Sequence, residues 1–343
     1  MSPRPLAILG TGLVTPVGLS APAACAAIRA KVASPMESRF LDSAGEVIMT
    51  CPVPLAEPRE MPARLARMAA MAIEECLDEV PPADGEGLPV LVCVAEEGRP
   101  GRAGGLDACL LADIEAELGG RFSSASALIS LGRTGVASAL TRARDLVYEA
   151  GVPRVLIAAA DSLLGEQQLA ALDRAGRLLT PGNSDGFLPG EAAGAILVGA
   201  PAAPGTAAQL VVNGIGIAQE EATLESGLPL RADGLLRAIR AALVEAGCGV
   251  HELDFRIADL SGERYYFKEA ALAVVRVLRQ SKDEFDLWHA AECTGEVGAA
   301  AALVALAVAD AACRNGYAPG PGVLVHLSND DGRRAALVLG YGD

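Results

Sequence analysis

The sequence predicts an α/β protein built from two halves that repeat one order of strands and helices. Three observations carry this reading. Apolar runs of strand length alternate with segments whose apolar residues recur at helical spacing. The alternation restarts after a Pro/Gly/Ala segment, Gly199 to Ala208. The runs are also continuous rather than alternating, as expected for strands covered on both faces.

The first run, Leu6 to Leu9, reads as a buried strand followed by a Gly/Pro turn and a helix from about Ala21 to Lys31. Leu65, Met68, Ala72 and Cys76 share one helical face, with Glu74 and Glu75 on the other. Leu88 to Val94 is a buried strand, Val136 to Val147 a helix that stops near Gly151-Val152-Pro153, and Val155 to Ala160 an all-apolar strand. In the second half, Gln209 to Val212 and Phe255 to Ala258 read as strands. Helices are expected over Leu235 to Ala246 and along the stripe Ala271, Val274, Val275 and Leu278. An alanine-rich interior helix, Gly298 to Cys313, precedes two closing strands, Val323 to His326 and Ala335 to Leu339. The expected halves are residues 1–200 and 209–343, and their similar order suggests an old duplication.

Composition narrows the function classes. The chain has 343 residues, 51% apolar and 21% charged, enough for a large core. Acids outnumber bases 43 to 28, a net charge of −15 that repels phosphate backbones and anionic lipid surfaces. Aromatics at 3% also disfavour base stacking, so neither nucleic acid nor a membrane is expected as a partner. The eight cysteines form no Cys-x-x-Cys pair, and with three histidines no metal site is expected. Free, buried thiols in a reducing compartment are the simplest reading. The charge-free window Pro5 to Ile28 looks superficially like an export signal, but Gly10, Gly12, Pro16 and Gly18 interrupt it. A cytoplasmic protein is expected.

Gly10-Thr11-Gly12 after a strand is not a dinucleotide loop, because Thr15 stands where the third glycine belongs and no acid closes a following strand. No cofactor is expected. The informative segment is Asp185-Gly186-Phe187-Leu188-Pro189-Gly190-Glu191-Ala192-Ala193-Gly194. Its glycines let two backbone stretches approach closely, and Glu191 among small residues suggests a buried network. Here the chain resembles the β-ketoacyl-ACP synthases of the thiolase superfamily, whose Gly-Phe-x-x-Gly-Glu-Gly-Ala-Gly segment has the same form. The opening Ile8 to Gly18 and the tail His326-Leu327-Ser328-Asn329 resemble that family's first and last strand-loop units. The resemblance implies a thiolase fold: five layers, αβαβα, from two pseudo-repeated halves with mixed sheets. It also implies a homodimer, expected through Val155 to Ala160.

Residue by residue, the same resemblance removes the catalytic groups. The family's cysteine nucleophile sits on a sharp turn before a helix, where backbone N–H groups and the helix dipole favour a thiolate. Counting back from Gly135 puts that position on Gly132, followed by Arg133 and Thr134. The histidine of the His-Gly-Thr loop falls on Asp259, whose charge would oppose an oxyanion. The histidine of the Gly-His-x-x-Gly loop falls on Glu292 within Ala291 to Gly298, with Gly295 and Gly298 retained. The glycine-rich segment near the end has become Asp330-Asp331-Gly332-Arg333-Arg334.

Other groups are weighed as replacements. Cys293, next to Glu292, is either a substitute nucleophile facing the old pocket or an inert buried thiol; Ser130 and Thr134 are weak hydroxyl nucleophiles without an evident base. Glu292, Glu296 and Asp259 would crowd negative charge, relieved by protonation, by Arg133, or by solvent. Trp288, the only tryptophan, with His289 is either core packing or a partner contact. His326 reads as a hydrogen-bonded strand-end residue, and Arg333-Arg334 as a solvated turn. The function expected is an inactive synthase-like scaffold, adaptor or chaperone. Its partner would be an active synthase, a carrier protein, or a secretion component of the type VI effector-loading kind. The alternative is an acyl-ACP or acyl-CoA condensing or acyl-transfer enzyme with rearranged residues.

Overall fold

The computed structural model describes residues 4–57, 59–78, 87–203 and 205–342. In the first half, strand β1 (Leu6–Val14) leads to helix α1 (Ala21–Arg29), the hairpin β2 (Met36–Leu41) and β3 (Val47–Thr50), and α2 (Ala63–Asp78). Then come β4 (Val90–Cys93), α3 (Leu106–Leu118), β5 (Ala127–Ile129), α4 (Gly135–Tyr148), β6 (Arg154–Ser162), α5 (Glu166–Arg174) and β7 (Glu191–Gly199). The second half runs β8 (Gln209–Gln219), α6 (Asp233–Ala246), β9 (Phe255–Ala258), α7 (Arg264–Val277), β10 (Leu287–Trp288) and α8 (Ala291–Thr294). It closes with α9 (Ala301–Arg314), β11 (Gly322–Ser328) and β12 (Arg333–Gly342).

The strands lie in the order β10-β9-β11-β12-β8-β1-β7-β6-β4-β5, and the middle junction is the antiparallel pairing of Leu6–Ile8 with Leu210–Val212. Each side of that junction is one mixed five-stranded sheet with the same pattern. From the centre outward, two antiparallel pairings are followed by two parallel ones: β1-β7-β6-β4-β5 on one side, β8-β12-β11-β9-β10 on the other. Helices α4 and α9 touch both sheets, α2 and α3 cover the outer face of the first, and α6 and α7 that of the second. These are the five layers the sequence leads one to expect.

The central layer explains the alanine-rich helix. Every residue from Ala302 to Asp310 is buried, and small side chains let α9 sit between two sheets without overpacking. The outer faces show the repeat at atomic detail. A Cβ on Gly12 of β1 would collide with the Ala72 carbonyl of α2, and one on Gly214 of β8 with the Ala242 carbonyl of α6. One residue on, the Leu13 amide donates to Glu75 Oε2 (2.8 Å) and the Ile215 amide to Glu245 Oε2 (2.7 Å).

One expectation is corrected. Val155 to Ala160 lies in β6, which is paired on both edges, by β4 and by β7, so it offers no free edge to a second subunit. Among the described residues the first sheet instead ends at β5, paired with β4.

Candidate functional site

A cleft of about 630 Å³ opens where the parallel strands end and α4 and α9 begin. Its walls come from the loop after β4 (Glu96 to Pro100), the start of α4, the face of α5, Arg177, Phe187 and the turn from Asn329 to Arg333. The expected nucleophile position, Gly132, is buried behind the cleft wall, between Leu131 and Arg133, which line it. Gly132 adopts φ 56°, left-handed backbone that an L side chain enters only at a cost. Its amide donates to the Val94 carbonyl (3.0 Å). A Cβ there would meet the side-chain ends of Glu96 (Oε2) and Asn329 (Oδ1), which would have to shift to admit it. Gly298, at the matching place before α9, has φ 54°. Its amide donates to Glu296 Oε1 (2.9 Å), and the Ala299 amide donates to Asp161 Oδ2 (2.8 Å).

The space beside Gly132 is filled by a network of ions. Arg133 is 6% exposed, and its guanidinium pairs with Asp330, lies 3.6 Å from Glu296 and sits over the Tyr266 ring at 5.2 Å. Arg177 makes a two-pronged contact to Glu263 (2.8 and 2.7 Å) and also reaches Asp330 (2.6 Å). Arg99 grips Asp161 (Nη1 to Oδ2, 2.8 Å). Burial raises the Asp330 carboxyl, yet Arg133 and Arg177 outweigh it and hold the group well below the usual range. Burial acts against the Arg133 cation, but Glu296 and Asp330 more than restore it.

Asp259 meets the opposite balance. Burial lifts it to about 7 despite Arg133 and the Ser328 amide, which donates to Asp259 Oδ2 at 2.8 Å; Glu296 adds to the rise. Burial likewise raises Glu96. Around Arg133, Asp330 is thus held down by cations, while Glu96 in the cleft wall and Asp259 outside it are pushed up by burial. Of the three ways sequence offers to relieve the crowded acids, Arg133 is present and Asp259 is poised for protonation.

Glu292 is corrected. It lies outside the cleft on an exposed face of α8, ion-paired with Lys31. The carboxylate that faces Arg133 is Glu296, four residues on. Gly298 shares its left-handed backbone with Gly132. Cys293 also turns away: it is 1% exposed, its thiol points to the Ile28 carbonyl (4.0 Å), and burial together with Glu292 raises its pKa. No cysteine is among the described residues lining the cleft. Ser130 lines it, its hydroxyl donating to Asp107 (2.6 Å), and the Thr134 hydroxyl donates to the Leu131 carbonyl (3.1 Å).

The remaining residues are structural in their contacts. Glu191 is wholly buried and accepts from the Val53 amide (2.9 Å), Arg64 Nε (2.9 Å) and Ser162 Oγ (3.0 Å). Gly186 packs against the Leu178 backbone, Gly190 against the Thr294 carbonyl and Gly194 against Leu303. Ser328 Oγ donates to Glu269 Oε2 (2.8 Å), while Asn329 Oδ1 accepts from the Arg133 amide (3.2 Å). Arg334 is not solvated: at 1% exposure it forms a buried pair with Glu269 (2.8 Å). His326 is buried without a partner for Nε2, and burial with Arg256 nearby lowers it to about 3. Arg99, Asp161, Arg177, Glu263 and Glu96 were not read from the sequence as site residues. The one available signal was Asp161, an acid that ends an otherwise apolar strand.

No protein-family model and no curated protein matches the sequence. Solved structures do. The ishigamide ketosynthase/chain length factor is 20% identical at TM-score 0.76, with 99% of each chain covered. A type II polyketide synthase acyl-carrier protein in complex with its ketosynthase gives 16% identity and TM-score 0.81, covering 99% of this chain and 100% of the other. A ketosynthase in complex with its chain length factor from Xenorhabdus doucetiae gives 13% identity and TM-score 0.72, with 98% of each chain covered. At these identities the likeness is one of architecture. Helix layers, strand order and full-length superposition agree that this chain has the thiolase fold, the architecture of these ketosynthase structures.

Proposed function

We propose that this protein is a catalytically inactive ketosynthase-like subunit that works by association, as scaffold, adaptor or inactive partner of an active synthase. One observation carries the reading: at the turn before α4, where a thioester-forming side chain would stand, the chain has Gly132, which has no side chain, and an added Cβ would meet the ends of Glu96 and Asn329. Acyl condensation needs a nucleophile that carries the acyl group and donors that meet the developing negative charge. Asp259 and Glu296 supply carboxyls instead, and Arg133 is engaged by Glu296 and Asp330. The neighbours that are complexes of a ketosynthase with a chain length factor or carrier protein support a protein partner. We take 1–200 and 209–343 as the repeated halves, and the free edge of β5 as the seam for a homodimer or heterodimer.

The test is intact-mass spectrometry after incubation with acetyl-, malonyl- and longer acyl-CoA and acyl-carrier donors. The expected result is unmodified protein. A stoichiometric adduct would instead establish the acyl-transfer reading, and peptide mapping would locate the residue. Co-purification with a synthase or carrier protein encoded nearby would then name the partner.

A further inference from the structure

A second cavity, of about 310 Å³, lies at the far edge of the second sheet and shares no lining residue with the cleft. Ile28 of α1, Ile257 of β9, Val308 of α9, Trp288 and Tyr317 form apolar walls. Trp288 leans on Phe255 (centroids 4.6 Å apart, 44° between planes) and faces Tyr317 almost in parallel (6.5 Å, 19°). The polar part of the rim is cationic. Arg29 sits with its guanidinium carbon 4.0 Å over the Tyr317 ring and makes no ion pair among the described residues. Lys31 is already held by Glu292. Burial lowers the His289 pKa. In a chain of net charge −15, an arginine with no ion pair among the described residues at the mouth of an aromatic cavity is a local reversal of field.

We propose that this cavity binds a small monocarboxylate with a flat apolar body, the body against Trp288 and Tyr317 and the carboxylate on Arg29. Near-parallel aromatic walls favour a planar group over a branched one. At protein-like packing, about 20 Å³ per non-hydrogen atom, the space accommodates about fifteen. Arg29 supplies a planar fork of donors suited to a carboxylate.

Because Trp288 is the only tryptophan, its fluorescence in the full chain reports the cavity directly. The probes are hydrocinnamate and its neutral amide. Hydrocinnamate should change the emission saturably and bind more weakly as salt is raised; the amide should bind less tightly and ignore salt. Arg29→Gln, an exposed position, should weaken hydrocinnamate about three- to fivefold, to the level of the amide, and leave the amide unchanged. Val308→Phe should abolish both signals by filling the cavity; since that change lies in the core, its melting curve is recorded and Arg29→Gln carries the argument if it unfolds. No saturable change with hydrocinnamate, equal binding of acid and amide, or an Arg29→Gln variant indistinguishable from the parent would each overturn the proposal.

Discussion

The closure over Gly132 can be measured by adding one methyl group. Gly132→Ala incurs two costs. Left-handed backbone at φ 56° costs an L residue about 1–2 kcal/mol, and forcing a Cβ against Glu96 and Asn329 costs roughly 1–3 kcal/mol more. Gly151 isolates the first cost, since it has φ 71° and nothing within 4 Å of an added Cβ. Gly151→Ala should therefore lose only about 1–2 kcal/mol, and Gly132→Ala about 2–5 kcal/mol. For a chain of this size, roughly 2 °C of Tm per kcal/mol gives losses near 3 °C and 4–10 °C. Thermal denaturation of both variants side by side reads the difference. A double variant with Glu96→Ala should recover about 1–2 kcal/mol beyond additivity, because it removes the obstacle. Equal losses at 132 and 151 would mean that the position is roomy, and the case for a closed acylation site would fail.

Three further outcomes follow from the same geometry. Asp259, raised to about 7 from 3.8, binds its proton more tightly in the folded protein. Its contribution is therefore complete below pH ~4 and is lost as pH rises to ~7, on the order of 4 kcal/mol; Asp259→Asn should flatten that stretch of the Tm–pH curve, and an unchanged slope would refute the assignment. Arg334→Ala leaves Glu269 buried without its cation, so a loss of about 3–5 kcal/mol is expected in denaturant titration, whereas a loss below about 1 kcal/mol would show the pair to be hydrated. Sedimentation analysis should give a dimer with itself or with a synthase subunit, and Leu128→Pro on β5 should dissociate it; a monomer in both settings would remove the proposed seam.

What the sequence disclosed divides by the range of the interaction. Strands such as Phe255 to Ala258 were readable because a buried strand is a continuous apolar run, and α9 because its alanines announce tight packing. β5 and β10, of three and two residues, are too short to show a period, and their place is set by pairing with β4 and β9. The site divided the same way. That Gly132 opens the turn into α4 was legible because it sits next in the chain to a recognisable helix start. The arginines that answer the buried acids come from remote loops: Arg99 meets Asp161 across 62 positions, and Arg177 meets Asp330 across 153. Nothing local in either segment marks them. Arg334 was misplaced for a related reason, since two adjacent arginines look solvated unless Glu269 of α7 is known to lie behind the strand.

The two halves show how packing and chemistry come apart. Gly12 with Glu75 and Gly214 with Glu245 perform one task twice: a strand without a side chain lets a helix approach, and a carboxylate on that helix takes the next amide. Gly132 and Gly298 repeat a second device, the left-handed turn that opens a central helix. Each follows from backbone geometry and steric room, so it is required by the architecture whatever the cleft does. Side chains at the cleft are under no such demand. There the left-handed turn still presents its amides, but what meets them is a carboxylate or an amide side chain of the chain itself: Glu296 and Asp161 at the second turn, Asn329 at the first. An oxyanion arriving from a substrate would have to displace groups already bound. Two of these contacts, Ala299 to Asp161 and Arg133 to Asn329, also tie the two halves together, which fits the proposed reading of the turns as structural.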